Sequence, residues 1–133
     1  METAIKGKPM VLVMDDEEDL LFLVELTLKQ EGFKTEISPN AADMMDIIAQ
    51  THPDIIVLDI HMRGIDGGTV CQLIKSNTST ADIPVILFSA NENIANISRQ
   101  CGADGYITKP FTGEKFKDTF LTILSKKDKK NHH

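Results

Sequence analysis

Three short apolar runs, Met10–Met14, Ile55–Leu58 and Val85–Phe88, stop abruptly at Asp15, Asp59 and Ser89, and a fourth, Gly105–Thr108, stops at Lys109. Runs this short and this uniformly apolar read as strands buried on both faces. Longer segments with helical spacing separate them, so strand and helix alternate along the chain. That order fits an α/β protein with a doubly wound five-stranded parallel sheet, because right-handed crossovers lay helices on both of its faces.

The helix after Asp19 carries Leu20, Val24, Thr27 and Leu28 on its expected inner stripe and stops at Gly32, the residue for a left-handed cap. Phe33 to Ile37 alternates like a strand near an edge. Ser38 and Pro39 predict an N-cap and first helical position for a helix reaching about Gln50. His61 to Gly68 reads as a loop before a helix to about Ser76. A further helix from about Glu92 to Cys101 closes at Gly102, and the last, from about Thr112 to Ser125, turns Phe116, Phe120, Leu121 and Leu124 inward.

Composition narrows the function. At 133 residues with 41% hydrophobic content, the chain predicts one domain over residues 9–125, preceded by a tail at 1–8. The basic stretch 126–133 is too short and polar to fold, and His132 and His133 look like a tag remnant. Twenty acidic against 14 basic residues give a net charge of −6, which argues against a nucleic-acid or anionic-membrane surface. Cys71 and Cys101 lack any C-x-x-C spacing and read as inert free thiols of a reducing compartment. The longest apolar run, Leu20–Val24, is too short to span a bilayer and no secretory leader opens the chain, so the expected location is the cytoplasm.

Sheets of this kind bind ligands beyond the carboxyl ends of their strands. Asp15, Asp16, Asp59, Ser89 and Lys109 all fall there. Singly, each has a plain structural reading: the paired aspartates as helix N-terminal charges, Asp59 as a turn former, Ser89 as a cap, Lys109 as a solvated loop charge. Jointly they say more. Three converging carboxylates require a cation or a raised pKa, and oxygen ligands without a Cys or His cluster suit Mg²⁺. Lys109 and Ser89 complement a tetrahedral dianion, so the set describes phosphoryl transfer to a carboxylate with Asp59 as nucleophile. No glycine-rich nucleotide-binding loop accompanies them.

Four segments carry a family resemblance: Val11-Leu-Val-Met-Asp-Asp-Glu17, Ile56-Val-Leu-Asp-Ile-His-Met62 with Asp66-Gly67, Leu87-Phe-Ser-Ala90, and Gly105-Tyr-Ile-Thr-Lys-Pro-Phe111. With these the chain resembles the receiver domain of two-component response regulators, from about Pro9 to Ser125. The resemblance implies a flavodoxin-like strand order 2-1-3-4-5. It implies Asp59 as phosphoacceptor, with Asp16, Asp59 and the His61 backbone carbonyl as direct Mg²⁺ ligands and Asp15 as a ligand through water. Ser89 and Lys109 are then expected on phosphoryl oxygens, with a cis Lys109–Pro110 bond. Tyr106 is expected to swing inward with Ser89, into room left by Ala90. His61 and Asn91 stand where receivers tune the lifetime of the aspartyl phosphate, although His61 also reads as a plain solvent-facing residue. Arg63 replaces a usual proline.

A histidine kinase or histidine phosphotransfer protein is the implied donor, and a downstream target is expected on the face made by the fourth helix, fifth strand and fifth helix. Two other classes compete with this reading. A metal-dependent phosphohydrolase of haloacid-dehalogenase type wants a second Asp where this chain has His61, and a partner-binding pseudo-receiver has no need of the intact acidic set. The chain reads as a phosphoacceptor more than an enzyme, either a single-domain regulator or a receiver excised from a longer protein. Phe22, Leu23 and Leu26 lie off the buried stripe of the first helix. They are expected partly exposed, either packed on the last helix, or as scattered surface residues, or forming the patch that docks the donor.

Overall fold

The structure, a computed structural model, describes residues 8–62 and 65–131. Residues 1–7, Arg63, Gly64, His132 and His133 lie outside the described residues, and with them most of the expected N-terminal tail and the tag remnant.

Five strands form one sheet: β1 Met10–Met14, β2 Lys34–Ser38, β3 Ile55–Asp59, β4 Val85–Ser89 and β5 Gly105–Thr108. All neighbours are parallel and the order is β2-β1-β3-β4-β5, the expected 2-1-3-4-5. The central strands are apolar up to the polar residues Asp59 and Ser89 that end β3 and β4, because both faces are covered. Alternation sends Leu12, Met14, Ile56, Leu58 and Leu87 to one face. Val11, Val13, Val57, Ile86 and Phe88 go to the other.

Helices α1 Glu18–Gln30 and α5 Gly113–Asn131 cover the second face. Helices α2 Met44–Thr51, α3 Gly67–Ser76 and α4 Ile94–Cys101 cover the first. Burying each large apolar side chain contributes roughly 1.5–3 kcal/mol, which is why a layer on each face stabilises a domain this small. Gly32 and Gly102 end α1 and α4 with φ of +94° and +80°, a left-handed conformation that side chains resist. Cys71 and Cys101 are buried free thiols in the first core, as expected.

Four details differ from expectation. The inner stripe of α1 is Leu21, Val24 and Leu28, with Leu20 and Thr27 only half-buried on its flank. Ser38 completes β2 instead of capping α2. Its Oγ accepts from Asn40 N–H and donates to Asn40 O, so Asn40 receives Ala42 N–H and opens a 3₁₀ turn, Ala41–Asp43, before α2. Within the expected loop after Asp59, His61–Met62 pairs antiparallel with Ile65–Asp66. The last helix runs on through the basic stretch to Asn131, and Ile123 rather than Leu121 joins Phe116, Phe120 and Leu124 against the core.

Candidate functional site

The register of the sheet gathers the expected residues at one edge. Asp15 follows β1, Asp59 ends β3, Ser89 ends β4 and Lys109 follows β5. One carboxylate oxygen from each of Asp15, Asp16 and Asp59 lies within 4.8 Å of the others. Lys109 Nζ stands 3.6 Å from Asp15 Oδ2 and 3.7 Å from Asp59 Oδ1. An open cavity of ≈ 500 Å³ reaches the buried Asp59 side chain, with Asp16, His61, Ser89, Asn91 and Lys109 in its wall.

Hydrogen bonding there is incomplete. Asp15 Oδ1 accepts from Glu17 N–H at 3.0 Å, and Asp59 Oδ1 from His61 N–H at 3.3 Å. Asp15 Oδ2, fully buried, accepts no hydrogen bond. Burial above all, and then the neighbouring Asp59 charge, raises the Asp15 carboxyl from 3.8 to about 6 against the opposing pull of Glu17 N–H and Lys109. A buried carboxylate oxygen without a donor is costly. Three converging oxygen ligands, with no Cys or His among them, fit a hard divalent cation, which would complete that unsatisfied atom.

The end of β3 is braced from below. Gly67 N–H donates to Ile60 O at 2.9 Å, and Asp66 caps α3 by accepting from Thr69 N–H. A Cβ on Gly67 would fall 2.2 Å from Asp59 O, so only glycine lets α3 start against the end of β3. Across the cavity, Ser89 Oγ accepts from Asn91 N–H at 3.0 Å while Lys109 N–H donates to Ser89 O at 3.0 Å. The Lys109–Pro110 bond is cis, as the resemblance implied.

The remaining expected residues surround this edge. Ala90 lines the cavity, and His61 is exposed beside Asp59. Tyr106, opposite Leu87 in the sheet, is exposed. On α1, Phe22 is 65% exposed, Leu23 51% and Leu26 48%, so these side chains are not covered by α5. Leu20, Leu23 and Thr27 instead flank a second groove against Pro110, Phe111 and Thr112. Sequence reasoning missed Glu17, whose N–H holds Asp15, and Phe88, whose ring faces the Lys109 ammonium at 4.8 Å. Glu17 adjoins the aspartates and was open to inference. Phe88 was hidden because nothing inside an apolar run says which ring lies under a lysine that follows the next strand.

No helix among the described residues is long and apolar enough to cross a membrane. The family model for the response regulator receiver domain matches residues 11–120. A DNA-binding dual master transcriptional regulator, RpaA of Synechocystis sp., is 32% identical over 123 residues, 91% of this chain and 51% of the relative. The chain thus spans about half the length of that curated relative. A putative response regulator from Chloroflexus aurantiacus superposes with a TM-score of 0.82 at 24% identity, covering 90% of this chain and 99% of that one. The receiver domain of a signal transduction histidine kinase from Syntrophus aciditrophicus gives 0.78 at 28% identity, over 88% and 90% of the two chains. With the acidic edge, the sheet order and the match over residues 11–120 in agreement, the chain belongs to the response regulator receiver family.

Proposed function

We propose that this receiver takes a phosphoryl group on Asp59 from a phosphohistidine donor, with Mg²⁺ held by Asp16, Asp59 and the His61 carbonyl and, through water, by Asp15. The observation that carries this reading is Asp59 itself: a carboxylate opening into the cavity, with a lysine at 3.7 Å and an unsatisfied acidic oxygen beside it. An Asp59 oxygen forms the new O–P bond while the P–N bond to the donor imidazole breaks, its electron pair staying on the nitrogen. When bound, Mg²⁺ supplies positive charge against the carboxylates and the arriving phosphoryl oxygens. Lys109 supplies a second fixed charge to those oxygens. Ser89 Oγ already accepts a hydrogen bond from Asn91, which leaves its own hydrogen available to a phosphoryl oxygen.

In this reading the switch follows Ser89. As Ser89 turns toward the phosphoryl group, Tyr106 leaves solvent for the space beside Ala90, and the α4–β5–α5 face meets its target in the new shape. His61 and Asn91, at the cavity wall, govern the approach of hydrolytic water. Phe22, Leu23 and Leu26 receive the histidine kinase or phosphotransfer partner. The net charge of −6 leaves direct nucleic-acid contact out of this reading.

Acetyl phosphate with Mg²⁺ should add one hydroxylamine-sensitive phosphoryl group, and Asp59→Asn should abolish it. Labelling that persists in Asp59→Asn, or proceeds unchanged in excess chelator, overturns the mechanism. Beryllofluoride should bury Tyr106. Unmoved tyrosine fluorescence and unmoved amide signals over residues 89–110 would refute the switch.

A further inference from the structure

The two carboxylates beside Lys109 do not account for where its ammonium sits. Nζ is 3.6 Å from Asp15 Oδ2 and 3.7 Å from Asp59 Oδ1, well outside the roughly 2.8 Å of a charge-assisted hydrogen bond. A compact ammonium on a flexible stem next to two buried carboxylates is expected to close on one of them. Lys109 stops short of both. On its other side is the face of the Phe88 ring, with the centroid 4.8 Å from Nζ, inside the range of a cation–π contact.

That ring is fixed. Phe88 is 1% exposed, Phe111 meets it edge-on at 5.5 Å, and Phe116 leans on it at 5.6 Å. Phe116 rests in turn on Phe120, and Phe120 on Phe33, so a ladder of rings behind Phe88 prevents it from turning away.

We propose that Phe88 is a positioning residue for phosphoryl uptake, its ring face holding the Lys109 ammonium between Asp15 and Asp59 without letting it seal onto either. This rests on the reading of Asp59 as phosphoacceptor. A lysine sealed onto Asp59 masks the attacking oxygen and must be pulled off before it can serve a phosphoryl group. A lysine held by the ring leaves the nucleophile open and needs only a small movement to reach the arriving oxygens. The ring's quadrupole is the part that matters, so electron withdrawal from an unchanged shape should remove the effect.

The test replaces Phe88 in the full chain with mono-, di- and trifluorophenylalanine, near-isosteric rings of falling face charge. Labelling by acetyl phosphate and Mg²⁺ should slow stepwise, by about fivefold across the series, at an unchanged melting temperature. Side-chain NMR should show the Lys109 ε-methylene protons shifted upfield by the ring in the native protein and returned to ordinary values in Phe88→Leu. Fluorinated proteins that all label at the native rate, while the native protein labels on Asp59, overturn the proposal. If native protein takes no label, or Asp59→Asn labels equally, the acceptor reading fails on its own. The ε-proton shift then decides the seat: present, it stands as the holder of Lys109; absent, it is refuted.

Discussion

Two lysine–aspartate pairs sit at opposite edges of the same sheet and are built to opposite standards. At the edge where the strands begin, Lys75 Nζ donates to Asp104 Oδ2 at 2.9 Å and to Ile83 O at 3.0 Å, and the same Asp104 oxygen accepts Val85 N–H at 2.8 Å. Every partner is at hydrogen-bond distance, and the knot ties the end of α3 to the starts of β4 and β5. At the edge where the strands end, Lys109 reaches neither carboxylate that closely, and Asp15 Oδ2 accepts nothing. The same chemical groups are saturated where they hold the fold and left unfinished at the edge proposed to take the metal and the phosphoryl group. Unfinished polar contacts cost stability, and among the described residues the one buried side-chain oxygen without a partner lies at the edge proposed to do the chemistry.

The sharpest way to break this contrast is to remove each lysine in turn. Lys109→Ala should slow phosphoryl uptake about 100-fold while leaving divalent-ion affinity unchanged or tighter, because a competing cation is gone. Lys75→Met should lower stability by about 1 kcal/mol with uptake unchanged. Labelling rates and melts of the two variants should therefore cross. If both lose the same property, the two edges do not differ in kind.

Acidity offers a second test. The Asp15 carboxyl sits at about 6 in the fold and 3.8 in the open chain, so its protonation favours the fold. That contribution is complete below 3.8, is lost as pH rises through about 6, and amounts to at most about 3 kcal/mol. In chelator, native protein compared with Asp15→Asn should lose stability between about pH 4 and 6, a loss absent from the variant. At neutral pH, Mg²⁺ at a hundred times its dissociation constant should restore about 2.7 kcal/mol. Melts indifferent to both would mean that Asp15 is not under strain.

A smaller effect is expected away from the edge. Phe22→Ala combined with Leu26→Ala should slow transfer from the cognate kinase about tenfold and spare acetyl phosphate labelling and the melting temperature. A pair that melts much lower and loses both activities belongs to the core, contrary to its exposure.

The strands and the acidic edge were legible because their signals are local: an apolar run followed by a polar stop needs no knowledge of the rest of the fold. Helix starts were less so. Ser38 and Pro39 carry the right chemistry for a cap, but β2 pairs with β1 as far as Met14 opposite Ser38 and keeps the serine in the sheet. On α1 the apolar run Leu20–Val24 offers more candidates than one face can bury, and the sheet selected Leu21 over Leu20. The extension of α5 to Asn131 followed lysines that favour helix once a preceding turn is formed, a cooperativity that composition alone does not display. Lys109 and Phe88 meet only through tertiary structure.

Gly67 carries a consequence for genetics. Its missing side chain is what allows the first turn of α3 to lie against the carbonyl of Asp59. A screen scored by signalling output would recover substitutions at this position beside those at Asp59, although glycine has no group to donate, attack or coordinate. An investigator reading such a map would place Gly67 among the reactive residues, when its contribution is an emptiness that α3 needs in order to begin where it does.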